Sequence, residues 1–331
     1  MRALHIEPMP EWIRGLFRKA ADEAGIEMVR GGALEGDDLV DAAAGAHALV
    51  TGQRRIGAEL IRAGAGLRLV VVQGRAPWAV DREAAAAAGV RVATLPHRGA
   101  IAVAEQTIAL VLGLYRKVVP GHLGTRDAEY KRFGVEPIRT TERKIAFNWL
   151  SYDDVRQLHG RTLGLVGLGG IGLEVARRAQ AFDMEVVYHK RSPLPRAHEA
   201  MACVRHLPLE ELLAASDVVS LHAPHTGATE GMIGEAALKT MKRDAILVNT
   251  ARGGLVDEAA LARALSEGRI AGAGLDVFVD EPLPANSPLI GAPNVLLSPH
   301  VGGGTGGGQV GMVRDVVEKL IAVAEAGDGA R

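Results

Sequence analysis

The chain has 331 residues, a formal net charge of −1, 48% hydrophobic residues and only 4% aromatic residues. That length suits two domains with largely aliphatic cores, and a charge so near neutral gives no electrostatic footing for nucleic acid or an anionic membrane. The single cysteine, Cys203, excludes an intramolecular disulfide and a cysteine-based metal cluster. The N-terminus MRALHIEPMPEW lacks the apolar core of a signal peptide, and no run of about 18 apolar residues follows. A cytoplasmic protein without membrane spans or bound metal is the expectation.

Through the first hundred residues, short apolar runs alternate with helical patterns. Strands are predicted at 2–6, 26–30, 47–52, 67–73 and 90–95, with helices between them that often close on glycine. In AIAVAEQTIALVLGLYRKV (100–118), Ile101, Ala104, Ile108, Val111 and Leu112 recur at helical spacing and predict a long, mostly buried helix. The polar, charged stretch 119–158 reads as a linker or arm. A second series then predicts strands at 162–169, 184–189, 218–223, 245–250, 271–278 and 294–299. In VDEAALARALSEG, Asp257 is placed to cap a helix and Gly268 to end it. A last helix at about 309–326 is expected to return to the first half. Strand–helix alternation of this kind implies parallel sheets.

The first strand of the second series runs into GLVGLGGIG, which contains Gly167, Gly169 and Gly172 in GxGxxG spacing. Such a turn lets the backbone approach a pyrophosphate, and the following helix offers N–H groups, here at Gly169, Gly170 and Ile171, to the phosphates. His189 lies 22 residues after Gly167, where an acidic residue would hold the ribose 2′-hydroxyl of NAD. Here the chain continues Lys190, Arg191, Ser192. Two cations and a hydroxyl attract a 2′-phosphate. The expected cofactor is therefore NADP, with NAD still accepted.

Six stretches, VAEQTIALVLGLYR (103–116), GLVGLGGIG, LHAPHTGAT (221–229), LVNTARGGLVDEAAL (247–261), LDVFVDEP (275–282) and SPHVGG (298–303), make nearly the whole chain resemble the D-2-hydroxyacid dehydrogenase family, in its glyoxylate/hydroxypyruvate reductase-like branch. The resemblance implies an α/β protein of two Rossmann-like domains with a cleft between them. The substrate domain is flavodoxin-like (1–117 plus 305–331), and the other (118–304) is a doubly wound NAD(P)-binding domain. It also implies a homodimer and a small 2-keto or 2-hydroxy acid as substrate. Carried over by position, the catalytic set is Arg252, Glu281 and His300. His300 would exchange the proton of the substrate oxygen, Glu281 would pair with it, and Arg252 would bind the carboxylate and polarise the carbonyl. Asp276 would hold the nicotinamide carboxamide, and Thr250 and Ala251 would line the ring. Gly302 and Gly303 would leave room beside it, and Pro224 and Thr229 would flank the adenosine.

The chain departs from the family pattern in GRAPWAVD (74–81). Arg75 and Ala76 stand where a Val-Gly pair offers its amides to the substrate carboxylate, and Pro77 and Trp78 stiffen the loop. Arg54, Arg55 and Arg75 either recognise a second anionic group or face solvent. Phe147 and Trp149 either cap the cleft or pack, with packing, against a partner subunit above all, the expectation. The leading function is an NADPH-preferring 2-keto acid reductase. A phosphoglycerate dehydrogenase-like enzyme using NAD and a nucleotide-responsive corepressor-like module are the alternatives.

Overall fold

The computed structural model describes residues 1–52, 54–74, 76, 78–304 and 308–328. Its first unit holds strands β1 (Arg2–His5), β2 (Glu27–Arg30), β3 (Ala48–Thr51), β4 (Leu69–Gln73) and β5 (Arg91–Leu95). Between and after them run helices α1 (Glu11–Glu23), α2 (Gly36–Ala44), α3 (Ala58–Ala63), α4 (Arg82–Ala87), α5 (Arg98–Tyr115) and α6 (Val118–Arg126). The second unit holds β6 (Thr162–Val166), β7 (Glu185–His189), β8 (Arg205–His206), β9 (Val218–Leu221), β10 (Ile246–Asn249), β11 (Gly272–Leu275) and β12 (Val295–Leu297). Its helices are α7 (Gly170–Gln180), α8 (Arg196–Ala202), α9 (Leu209–Ala215), α10 (Glu235–Thr240) and α11 (Glu258–Ser266), and α12 (Gly308–Asp328) ends the chain.

Both sheets are parallel. The first has the order β2-β1-β3-β4-β5 and the second β12-β11-β10-β9-β6-β7-β8. Central strands are covered on both faces, so they read as unbroken apolar runs: β4, Leu69-Val70-Val71-Val72-Gln73, is buried at every position. Burying a Val or Leu side chain contributes roughly 1.5–3 kcal/mol, which makes such strands the rigid floor under the loops at their carboxyl ends. In the second sheet, Asp257 caps α11 by accepting from Ala260 N, and Gly268 follows with φ of +61°.

Two helices tie the units together. α12 returns to the first sheet, where Met312, Val316 and Leu320 pack with Phe17, Val50 and Val71. α5 follows β5, yet Ala104, Ile108, Val111 and Tyr115 are buried with Leu163, Leu165 and Val248 of the second sheet. By length and composition α5 is apolar enough to cross a membrane, and its apolar residues are those of a core helix.

The arm differs from the irregular segment that its polarity predicts. Residues 118–126 are helical (α6), and a 3-10 turn follows at Glu129–Phe133. The periodicity of α5 stops because Lys117 is left-handed (φ +53°), its ammonium paired with Asp154, so the helix restarts in a new direction. β8, two residues long, is too short to leave an alternation in the sequence.

Candidate active site

The glycine turn after β6 is shaped by close approach. Gly167 has φ of +100°, and a Cβ there would lie 2.6 Å from the His222 carbonyl carbon. A Cβ on Gly172 would lie 2.8 Å from the Gly167 oxygen. A side chain at either position would push the turn away from its neighbours. The N-cap of α7, Gly169, is extended and no side chain caps it, so the first-turn N–H groups of this helix are open to an anion. These features fit a dinucleotide pyrophosphate. Gly170 and Ile171 line an interdomain cleft of about 1160 Å³, together with Pro224, Thr250, Ala251, Arg252, Asp276, His300, Gly302 and Gly303.

On the second unit's side of that cleft, His300 Nδ1 lies 2.6 Å from Glu281 Oε2. A carboxylate can only accept, so Nδ1 carries the proton and Nε2 is left without a protein partner among the described residues. Glu281 Oε1 also accepts from Phe278 N at 3.0 Å. Partial burial favours the protonated acid, but these two hydrogen bonds and the positive charges of His300 and Arg252 outweigh it and hold the carboxyl below its ordinary range. His300 is left-handed (φ +52°), a conformation costing a histidine on the order of 1 kcal/mol. The turn is held by Asp276: Oδ1 accepts from Ser298 Oγ (2.5 Å) and Val301 N (3.1 Å), and Oδ2 from Gly302 N (2.8 Å). One acceptor position of that carboxylate remains.

Arg252 is presented by the turn after β10. Asn249, 1% exposed, spans it: Oδ1 accepts from Ala251 N and Nδ2 donates to Arg252 O, at 3.0 and 2.9 Å. The next residue, Gly253, packs on the chain leading to Glu281, and a Cβ there would lie 1.9 Å from the Phe278 carbonyl carbon. Close packing at one glycine thus brings the Arg252 and Glu281 segments side by side. Thr250 Oγ1 is 2.9 Å from Thr107 Oγ1, which anchors the turn to α5.

Other expected residues stand elsewhere. His189 bonds Leu207 O at 3.2 Å through Nδ1, which makes that nitrogen a donor. Lys190 is half-buried, Arg191 and Ser192 are exposed, and none of the three side chains has a hydrogen-bond or ion-pair partner among the described residues. Thr229 Oγ1 is spent inside its own turn, donating to Pro224 O at 2.7 Å and accepting from Thr226 N. On the first unit, Ala76 is 7% exposed and lines the cleft, while Arg75 lies outside the described residues. Arg54 turns inward, its guanidinium donating to the carbonyls of Ile6, Gly31 and Leu34, and Arg55 is exposed. Arg54 therefore serves the packing of its own domain rather than either solvent or an anion. Phe147 is 81% exposed, and Trp149 packs edge-on against Tyr130.

The model for D-isomer specific 2-hydroxyacid dehydrogenases, NAD binding domain, matches residues 108–302, more than half of the chain. The chain belongs to this family. Among curated relatives, a glyoxylate reductase of Thermococcus litoralis is 41% identical over 248 residues, 74% of this chain and 70% of the relative. Among solved structures, the TT0316 protein of Thermus thermophilus is 40% identical (TM-score 0.54; 98% of this chain and 97% of that one covered). A glyoxylate reductase from Paecilomyes thermophila is 30% identical (TM-score 0.58; 99% and 96%). The protein is thus a nicotinamide-dependent oxidoreductase.

The sequence assigns no role to several residues around this site, although Gln106 and His222 lie inside the stretches that carry the family resemblance. Gln106 on α5 donates to Ser298 Oγ at 2.9 Å, which connects α5 to the Asp276 carboxylate through the serine. Its sequence signals are a polar side chain within an apolar helix and its place in the VAEQTIALVLGLYR stretch. His222 lines the cleft, and burial pushes it down to about 4. Trp78 stacks on His198 of α8, with ring centroids 5.0 Å apart and planes at 14°. This joins the substrate-side loop to the helix just beyond Lys190–Ser192.

Proposed function

We propose that this dehydrogenase reduces small 2-keto acids of the glyoxylate and hydroxypyruvate type to D-2-hydroxy acids, preferring NADPH and accepting NADH. The observation that carries the reading is the Glu281–His300 pair, which leaves Nε2 without a protein partner among the described residues, on a cleft also lined by Arg252 and the nucleotide turn. The relatives named as glyoxylate reductases support the substrate class.

When bound, the reduced nicotinamide supplies the hydride to C2 of the keto acid. His300, protonated on both nitrogens, donates its Nε2 proton to the carbonyl oxygen as negative charge develops there. Glu281 stabilises that imidazolium and fixes the ring through the Nδ1 hydrogen bond. Arg252 binds the carboxylate and polarises the carbonyl, joined by the Ala76 and Arg75 amides. Asp276 offers its remaining acceptor position to the carboxamide while holding the His300 turn. Thr250 and Ala251 face the ring, and Gly302 and Gly303 leave space beside it. In oxidation, His300 Nε2 takes the proton back.

Lys190, Arg191 and Ser192 follow β7 without protein partners among the described residues, as a 2′-phosphate site requires. His189 closes that strand end against Leu207, and Pro224 borders the adenosine side. Thr229 contributes by shaping the 224–229 turn.

We also propose that two copies associate through the arm, which exposes Val118, Phe133, Ile145 and Phe147. Exposed apolar side chains gathered on one segment suit an interface better than water. The experiment for the activity is a steady-state panel of small 2-keto acids with NADPH and NADH. NADPH-dependent turnover of glyoxylate or hydroxypyruvate is expected. Nucleotide binding without turnover of any acid would overturn the enzymatic reading in favour of a binding module.

A further inference from the structure

Gln73 closes β4 and immediately precedes the loop that carries Ala76. It is 6% exposed, yet it lines the interdomain cleft. Its Oε1 lies 3.2 Å from His5 Nε2, at the end of β1, 68 residues away in the chain. His5 is itself 5% exposed and its Nδ1 accepts from Glu7 N at 3.3 Å. The Phe17 ring, 5.3 Å from the His5 ring, packs against it.

These contacts fix the direction of every proton. Glu7 N–H can only donate, so His5 Nδ1 is bare and its one proton sits on Nε2. The same contact leaves no room for a proton on Nδ1, and burial pushes the pKa of this imidazole down, in the same direction. Nε2–H then needs an acceptor, so Gln73 must turn its oxygen toward His5. The reversed amide would set two donors face to face. Gln73 Nε2 is thereby committed to the other side, and it is a buried donor with no hydrogen-bond partner among the described residues. Leaving such a donor unmatched costs about 1–3 kcal/mol, a cost that an acceptor arriving in the cleft removes.

We infer that Gln73 is a specificity-determining residue, whose amide Nε2 donates a hydrogen bond to an acceptor on the third substituent of the substrate's C2, such as the 3-hydroxyl of hydroxypyruvate. The inference rests on the 2-keto acid reading above. At a trigonal C2, the oxygen is directed to His300 and Arg252, and the carboxylate to Arg252 and the loop amides. The third substituent is left to the wall formed by the ends of β1 and β4, where Gln73 stands beside His5 and Met9. Glyoxylate has only hydrogen there and pyruvate a methyl, and hydroxypyruvate adds the acceptor that the amide lacks. A site built around a donor discriminates strongly against analogues that leave it unpaired.

The test measures kcat/KM for hydroxypyruvate, pyruvate and glyoxylate in the wild-type protein and in Gln73→Met and Gln73→Leu, two apolar replacements of different shape. The wild type is expected to prefer hydroxypyruvate over pyruvate by tenfold or more, on the order of one hydrogen bond to an otherwise unmatched donor. Either variant should bring that ratio toward one through hydroxypyruvate KM. Glyoxylate kcat/KM should stay within about threefold and NADPH affinity should not change, as expected where one neutral hydrogen bond is removed. A wild-type ratio near one overturns the inference without any variant. A ratio unmoved by substitution, or an equal fall on all three acids, overturns it as well. Wild-type protein inactive on all three would sink the underlying function, which is a different result from an active enzyme with no preference.

Discussion

The carboxyl ends of the two sheets face one cleft, but they are built differently. At the second sheet, the polar groups are tied mostly within their own unit: Asn249 to Ala251 and Arg252, Glu281 to Phe278, and the 298–302 turn to Asp276 at the end of the neighbouring strand, with Gln106 and Thr107 of α5 bracing Ser298 and Thr250 from further away. Hydrogen bonds made largely within this unit fix each turn, and among the described residues His300 Nε2 is the atom left over. At the first sheet, the key contacts join distant residues, His5 to Gln73 and Trp78 to His198, and the atom left over is an amide donor. The lesson is a division of labour. The proposed chemical end is braced mostly by its own unit, and short motifs carry its residues. The recognition end depends on long-range packing, and there the chain departs from its family's pattern.

The largest expected effect breaks the chemical end. His300→Ala should lower kcat by about 10²- to 10⁴-fold, the usual share of a general acid, while nucleotide affinity stays nearly intact. An unchanged kcat would remove His300 from the reaction. Gly253→Ala tests whether one close approach aligns Arg252 with Glu281. Its Cβ would meet backbone at 1.9 Å, so activity should fall at least tenfold with a loss of several degrees in Tm, the order expected of overpacking by about 1–3 kcal/mol. Wild-type activity in a fully stable variant would show that the turn has room to give.

A third experiment sharpens the comparison from the cofactor side. Lys190→Ala with Arg191→Ala should raise KM for NADPH by about 10- to 100-fold, the scale of two charge-assisted contacts, and KM for NADH far less. Equal effects on both nucleotides would make the pair an ordinary basic strand end. The smallest effect is on stability. His222 falls to about 4 in the folded protein from an ordinary 6.5, and His5 is also pushed down. The unfolded chain therefore binds protons first. Stability is complete above pH 6.5 and declines as the pH falls toward 4, by at most about 3 kcal/mol for His222. Glu281 acts at still lower pH, since its depressed carboxyl contributes stability that is lost only as its folded-state pKa is crossed. Thermal melts between pH 4 and 8 should show this slope, shallower in His222→Asn. A slope of the same size in that variant would assign it to other groups.

How much was legible in the sequence follows the same division. Strand positions, the α11 cap at Asp257 and the glycine turn could be read because each depends on periodicity or on residues a few positions apart. The Arg252, Glu281 and His300 positions came from motif resemblance, and the Glu281–His300 contact spans only 19 positions. The arm departs from the irregular segment its polarity predicts where Lys117 breaks one helix and starts another, a backbone choice that no hydrophobic period records. Sequence leaves Arg54 between an anion site and solvent, and neither holds, because its guanidinium donates to three carbonyls of its own domain.

By itself, then, the sequence determined two parallel α/β layers and a nucleotide turn, because burial on both strand faces and glycine's freedom leave direct marks in residue order. Only the tertiary structure decided which polar atoms are spent and which remain open. That depends on partners brought together from far along the chain: Gln106 behind Ser298, α5 against the second core, and His5 behind Gln73. A hydrogen bond's direction is fixed by its last neighbour, and residue order does not name that neighbour.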